Sequence, residues 1–216
     1  MSALRRPLES LLASGRVQHA NALARRAPAE WGFREVAGRF VEVTGDARTT
    51  IAAGLLRDAQ RQGETTAWIA STVAAGAFAP SCFFPPDLAQ WGIDLAALAV
   101  IRPDDESEAL RCADELLRSG AFGFVVLDGI HPHALPMAAQ VRLASAAQQH
   151  DAALVLLCGR EHERGESGSL ASLRLSTFRR RVEPGRFEVG FEAIKDKRRG
   201  RRWTFTVACD GTPGLR

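Results

Sequence analysis

Residues 40–51, FVEVTGDARTTI, decide the fold and raise the first question about function. The aromatic and β-branched residues at 39–44 predict a strand, and 49–62 predict an amphipathic helix that ends at Gly63. A strand that ends at a glycine and leads into a helix is the usual position of a phosphate-binding loop. The stretch is therefore a working phosphate loop, a degenerate one, or neither.

Strands and helices alternate beyond this stretch. The continuous apolar strands 124–128 (FVVLD) and 152–158 (AALVLLC) indicate a parallel sheet that is covered on both faces. The last third of the chain alternates apolar with polar residues, which predicts antiparallel strands of a partly exposed sheet. The sequence thus predicts an α/β fold with a mainly parallel central sheet flanked by helices and with C-terminal antiparallel strands. The other predicted strands are 66–70, 98–102, 172–182, 186–194 and 202–208, and the other predicted helices are 87–91, 104–119 and 136–149.

Composition places the chain among ordinary globular proteins. It has 216 residues, of which 46% are hydrophobic and 25% charged, enough for one substantial core. We expect an N-terminal helical segment at 1–35, where Leu4, Leu8, Leu11 and Leu12 recur at helical spacing, followed by one core domain at 36–216.

Cysteine usage and hydropathy indicate the compartment. Cys82, Cys112, Cys158 and Cys209 form no C-x-x-C pair, which is typical of reduced thiols in a cytoplasmic protein. No apolar run approaches the ~18 residues that span a bilayer, so we expect no membrane insertion.

Charge is unevenly distributed along the chain, whose net charge is +3. Residues 1–40 carry seven arginines against three glutamates, and residues 158–202 carry thirteen basic against seven acidic residues. Residues 41–157 carry seven arginines against fourteen acidic residues. The two ends are therefore basic and the middle is acidic.

The element order and four short stretches resemble the core of a RecA-type recombinase. The stretches are residues 38–43 (GRFVEV), 59–65 (AQRQGET), 119–128 (SGAFGFVVLD) and 194–197 (IKDK), and the resemblance covers roughly residues 36–212. Among RecA relatives, the branch poor in nucleotide-binding motifs is the ImuA group, related to SulA-like proteins. The chain resembles that group.

The resemblance implies a function. ImuA proteins are accessory factors of bacterial damage-induced (SOS) mutagenesis, so the expected role is a non-enzymatic adaptor that binds an ImuB-type inactive Y-family polymerase and supports translesion synthesis. RecA is a second possible partner, and we expect association with the nucleoid after DNA damage. The alternatives are a SulA-like inhibitor of cell division, a modulator of recombinase filaments, and an ATPase related to RecA paralogues.

The phosphate-loop pattern is incomplete. A working loop reads G-x-x-x-x-G-K-[ST], because its successive backbone N–H groups surround a phosphate while the lysine supplies charge. Here Gly45 is followed by Asp46 and Ala47, with Arg48 at the lysine position and Thr49 at the Ser/Thr position. The loop is three residues short, and the carboxylate of Asp46 would repel a phosphate. We therefore expect no nucleotide cofactor.

One further nucleotide motif is altered and another keeps its carboxylate, and we expect no metal site. Residues 70–72 (AST) lack the acidic residue that would activate water, whereas Asp128 survives at the Walker B position, where we expect a structural role. His131 and His133 could ligate zinc with Asp128, although a solvated loop is the favoured interpretation. The loop at 161–168 is too short and acidic for a recombinase DNA-binding loop.

Two surfaces remain as candidates. Recombinases polymerise when a neighbour adds a strand to the core sheet, which implies a partner site on the strand and helix before Asp128. Its predicted residues are Leu98, Val100, Ala109, Ala113 and Leu116, with the alternative that this helix face packs on the sheet. A basic set beside Trp203 predicts weak, non-specific contact with nucleic acid, with a solvent-exposed strand face as the alternative. That set is Arg179, Arg181, Lys195, Lys197, Arg199 and Arg201.

Overall fold

The computed structural model describes residues 31–71, 83–130, 135–159, 170–200 and 203–210. Most of the predicted N-terminal segment, the histidine pair at 131–133, the acidic loop at 161–168 and Arg201 lie outside the described residues. The boundary predicted between an N-terminal segment and a core therefore stays a prediction.

Helices and strands alternate as the sequence predicts, with bounds that differ from the prediction by no more than a few residues. β2 and β4 begin and end where the apolar runs predict. In chain order the elements are α1 (Phe33–Val36), β1 (Phe40–Gly45), α2 (Arg48–Arg61), β2 (Thr66–Ala70), α3 (Pro85–Gln90), a 3-10 turn (Leu95–Ala97), β3 (Leu98–Ile101), α4 (Glu106–Ser119), β4 (Phe124–Asp128), α5 (Met137–Gln149), β5 (Ala153–Leu157), β6 (Leu173–Glu183), β7 (Arg186–Asp196) and β8 (Thr204–Asp210).

All eight strands form one sheet in the order β3-β2-β4-β5-β1-β6-β7-β8. The strands from β3 to β6 pair in parallel, whereas β6, β7 and β8 pair antiparallel. This confirms the predicted fold class. The parallel order brings the carboxyl ends of β1 and β4 to the same edge of the sheet, where ligands of such sheets gather.

The two faces of the sheet carry two separate hydrophobic cores. On the first face, α1, α2 and α3 cover inward-facing side chains such as Val43 and Trp68. On the second face, α4 and α5 cover the alternate side chains, among them Ile69 and Leu127. Burial on both faces explains why the central strands read as continuous apolar runs.

Helix α4 has strong end signals. The Asp105 side chain caps its N-terminus by accepting from Glu108 N at 2.7 Å, and Glu106 and Glu108 place negative charge in the first turn. Gly120 ends the helix in the left-handed conformation with φ of 67°. These signals fix where the helix begins and ends.

Two buried ion pairs join the parallel strands to the C-terminal meander. Arg39 Nη2 lies 2.7 Å from Asp196 Oδ1, and Arg174 Nε lies 2.7 Å from Glu42 Oε2. Asp196 also accepts from the indole of Trp203 at 3.2 Å. Burial lowers the pKa of the Arg39 guanidinium from its ordinary value, while the adjacent Asp196 opposes that shift. Both pairs tie the last strands to β1.

Among the described helices, none is long and apolar enough to cross a membrane.

Candidate functional site: a filled phosphate-loop position and an open sheet edge

The turn between β1 and α2 is too short to surround a phosphate. β1 ends at Gly45 and α2 begins at Arg48, so only Asp46 and Ala47 lie between them. Gly45 has φ of +94°, and a Cβ at this position would lie 2.1 Å from the carbonyl oxygen of Thr177 on β6. The neighbouring strand therefore lies directly against the glycine.

Thr177 uses the polar groups at this turn. Its Oγ1 accepts a hydrogen bond from Ala47 N at 3.1 Å and donates one to Thr44 O at 2.6 Å. Arg48, at the position of the phosphate-loop lysine, donates to Gly45 O at 3.3 Å. The predicted residues Gly45, Arg48 and Thr49 lie at this turn and at the start of α2. The backbone N–H of Ala47 and the Arg48 guanidinium both bond inside the domain.

Asp128 lies at the carboxyl end of β4 and is 6% exposed. Trp68 on β2 donates from Nε1 to Asp128 Oδ2 at 3.4 Å, and the Trp68 ring lies 5.2 Å from that of Phe83. The backbone oxygen of Asp128 accepts from Ser71 N at 3.0 Å. These contacts suit a carboxylate with a structural role.

Trp68 is the residue of this region that sequence reasoning missed. Ala70 pairs with Asp128 in the register of β2 and β4, so residues 68 and 128 are diagonal neighbours on the same face. The available signal was an indole on β2, which needs an acceptor when it is buried.

The remaining described titratable groups near this edge do not form a metal site. No group of three or more His, Cys, Asp or Glu in the described ranges could hold a metal ion. Cys158, just after β5, is fully buried. Burial raises the pKa of its thiol well above the ordinary value, and the Glu42 carboxylate adds to the rise. The thiol is therefore neutral around pH 7.

The other retained feature is the edge of the sheet at β3. Within the described residues β3 pairs with β2 alone, so its outer row of backbone groups has no strand beside it. Val100 on this strand is 41% exposed, and Ala99 and Ile101 are partly buried. The edge can therefore accept another strand.

The structure corrects the helix part of the predicted partner surface. Ala109 and Ala113 are fully buried, and with Leu117 they pack in the core of the second face. Leu116 lies at the border of that buried stripe, and Leu98 is 7% exposed. The alternative interpretation, that this face packs on the sheet, holds for the two alanines, which are not accessible to a partner. Val100 remains the exposed member of the predicted set.

The predicted basic residues do not form one patch. They fall into two groups, one with Arg179 and Arg181 on β6 and one that begins at Lys195 on β7. Lys195 pairs with Arg174, which is seven residues from Arg181 along β6, so the two groups are roughly 23 Å apart at ~3.3 Å per residue. Arg179 lies over the ring of Phe187 at 3.9 Å, and Arg199 pairs with Glu35 at 2.7 Å. Lys197 and Arg181 are exposed. Contact with nucleic acid stays a prediction, and the two groups lie at opposite ends of the β6–β7 hairpin.

Comparison with known proteins gives three kinds of match. A family model described as the RecA N-terminal domain matches residues 31–151. The RecA proteins of Nocardioides sp. and Haemophilus ducreyi are 37% identical over 97 residues and 32% identical over 96 residues. Each match covers 43% of this chain and 25% or 24% of the relative. The chain thus spans about a quarter of the length of the curated relatives it matches.

Two solved structures are similar in fold. The RadB recombinase superposes with a TM-score of 0.56 at 17% identity, over 79% of this chain and 87% of that chain. SulA from Pseudomonas aeruginosa has a TM-score of 0.43 at 23% identity, over 56% of this chain and 97% of that chain. The RadB superposition shows a shared fold, whereas the TM-score of the SulA superposition is too low to support an argument.

Proposed function

The chain belongs to the RecA N-terminal domain family, and on that premise we propose that it is a non-enzymatic adaptor. In this proposal it is an ImuA-type protein that binds an ImuB-type inactive Y-family polymerase during damage-induced mutagenesis and supports error-prone translesion synthesis. The observation that carries the proposal is an open acceptor strand, β3, in a domain whose phosphate-loop position is filled by its own groups.

The filled phosphate-loop position supports the absence of nucleotide chemistry. A bound phosphate needs several free backbone N–H groups and a cation at the N-terminus of the helix. The two-residue turn at Asp46 and Ala47 supplies too few such groups, and Thr177 and Gly45 O already bond Ala47 N and Arg48. Opening the site would require β6 to separate from β1 at Gly45, which is one of the paired positions of these strands.

The open β3 edge supports strand addition as the way a partner binds. An incoming strand gains main-chain hydrogen bonds along β3, and its alternate side chains can contact Val100, which is 41% exposed. No charged residue lies within β3, so nothing in the strand itself repels an apolar partner segment. Specificity would then come from the side chains that flank the added strand.

The binding test compares two exposed valines. Val100→Glu places a carboxylate on the β3 edge, and Val182→Glu places one on β6 near the β6–β7 turn, where Val182 is 63% exposed. We expect Val100→Glu to weaken binding of the purified ImuB-type protein at least about tenfold, about 1.4 kcal/mol, by interferometry, with Val182→Glu unchanged. Equal affinity of wild type and Val100→Glu would remove the β3 edge from the proposal.

Purified RecA serves as the second analyte in the same assay. Binding of RecA rather than the ImuB-type protein, with the same sensitivity to Val100→Glu, would replace the adaptor role by modulation of recombinase filaments. If Val100→Glu weakens the binding of neither protein, strand addition at β3 has no support.

Nucleotide binding is tested separately by calorimetry with ATP and Mg²⁺. We expect no heat of binding, because Ala47 N and the Arg48 guanidinium are bonded inside the domain and the two-residue turn offers too few other donors. Micromolar affinity would contradict the non-enzymatic interpretation and support the ATPase alternative. The β3 edge proposal would survive that outcome.

A further inference from the structure

The sheet has a second open edge, at β8. This strand is the last in the order of the sheet, and within the described residues it pairs with β7 alone. Val207, on the same face as the buried Val189 of β7, is 44% exposed. Its neighbours Thr206 and Ala208, on the other face, are exposed as well. The strand therefore leaves both a row of backbone groups and its side chains in contact with solvent.

Strand β8 lacks the features by which proteins protect an open edge. Those features are charged side chains, proline, a β-bulge or a very short strand. β8 is seven residues long, has no charge or proline before Asp210, and pairs with β7 without a shift of register. By contrast, β3 has only four residues, and β6 beyond Thr177, where its pairing with β1 ends, carries three consecutive arginines and a register shift. β8 is therefore the unprotected edge of the described sheet.

The hydrogen bonds at the start of β8 show which of its residues face the open edge. Ala193 N on β7 donates to Trp203 O at 2.9 Å, so the backbone carbonyl of Trp203 points toward β7. In an antiparallel ladder the direction of the backbone groups alternates along the strand, so Val207, four residues later, also points toward β7. Thr206 and Ala208 therefore direct their N–H and C=O groups outward, where a further strand can bond them.

We propose that β8 pairs with β8 of a second copy of this chain, antiparallel and about a two-fold axis at Val207. Val207 is the middle residue of Thr204–Asp210, so in this register all seven residues of the strand pair. Thr206 then exchanges backbone hydrogen bonds with Ala208 of the second copy, and Ala208 does so with Thr206 of the second copy. The two Val207 residues form the non-hydrogen-bonded pair between them, with Cα atoms about 4.5 Å apart.

The composition of β8 favours a second copy as its partner. A two-fold axis sets a residue against its own copy, so any charge near the axis would face a like charge. β8 carries none between Thr204 and Cys209, and pairing covers the exposed Val207 with an identical apolar side chain. Two-fold dimers that use one self-complementary patch are also the commonest assemblies of soluble proteins. Because β3 lies at the other end of the sheet, this proposal is independent of the adaptor role.

A disulfide between the two copies tests the position of the axis. Val207→Cys puts two thiols on Cα atoms about 4.5 Å apart, which is within the range that a disulfide spans. Val182→Cys is the matched control, because Val182 is 63% exposed and lies on β6, away from the axis. After mild oxidation of the full chain, we expect Val207→Cys to run mainly as a dimer on a non-reducing gel, with Val182→Cys and wild type as monomers. A dimer yield no higher than that of Val182→Cys would overturn the proposal.

Analytical ultracentrifugation measures the assembly without a cross-link. We expect the wild type to sediment at twice the monomer mass at micromolar concentration. Val207→Lys should raise the dissociation constant of the dimer at least about tenfold, because two ammonium groups would then meet at the axis. Val182→Lys should sediment like wild type, and circular dichroism should show that both variants are folded. A wild type that stays monomeric, or a Val207→Lys variant that dimerises as tightly as wild type, would overturn the proposal.

Discussion

The turn between β1 and α2 and the edge at β3 belong to one sheet, yet they differ in where their polar groups are satisfied. At the turn, Thr177 and Gly45 O bond the groups that a phosphate would need. At β3, the outer backbone groups face away from the only strand that pairs with it in the described part of the chain. The short turn bonds its own polar groups to the neighbouring strand, whereas an edge strand keeps a row of backbone groups available to a partner.

The largest effect should come from charge on the buried helix face. Ala113→Glu forces a carboxylate into the core of the second face, where Ala113 is 0% exposed, and should lower the free energy of unfolding by at least about 4 kcal/mol or prevent folding. Val100→Glu, the same kind of change on the exposed edge, should cost less than about 0.5 kcal/mol. Urea unfolding measures both. Similar losses would mean that the edge is buried in solution.

The next effect tests how closely β6 lies against the turn. Gly45→Ala puts a Cβ 2.1 Å from Thr177 O in a left-handed backbone and should cost about 2–5 kcal/mol. Gly63→Ala is the matched control, since Gly63 has φ of +86° and a Cβ there meets no atom within 4 Å. It should cost about 1–2 kcal/mol from backbone strain alone. Equal losses in denaturant unfolding would show that β6 moves aside, so that the turn can open.

The smallest effect separates the two roles of Asp128. Asp128→Asn keeps an oxygen that accepts from Trp68 Nε1 and should change stability by less than about 1 kcal/mol, whereas Asp128→Ala leaves the indole unpaired and should cost about 1–3 kcal/mol. Thermal unfolding compares them. A large loss in the asparagine variant that depends on added Mg²⁺ would indicate that the carboxylate binds the ion after all.

The sequence predicts the elements well where one physical signal dominates. The apolar runs of β2 and β4 and the Asp105 and Gly120 ends of α4 depend on local residues, and the structure has them at or next to the predicted positions. The 3.6-residue period also places Ala109 and Ala113 on one face correctly. It cannot decide whether that face meets the sheet or a partner, because both require apolar residues.

The site depends on contacts between distant residues, which local patterns do not contain. Trp68 reaches Asp128 only because β2 and β4 are adjacent and in a particular register. Thr177 fills the phosphate-loop position because β6 pairs with β1 across 130 residues of chain. The basic residues of β6 and β7 look like one group in the sequence, but the hairpin places them at opposite ends.

The position of β1 between β5 and β6 has a consequence for synthesis on the ribosome. The buried pairs of β1 and its flanking residue, Glu42 with Arg174 and Arg39 with Asp196, join residues 132 and 157 positions apart. At ~5–20 residues per second, the first strand waits on the order of ten seconds for its partners to emerge. During that time Arg39 and Glu42 stay hydrated, and β1 can join the sheet only after most of the chain has been made.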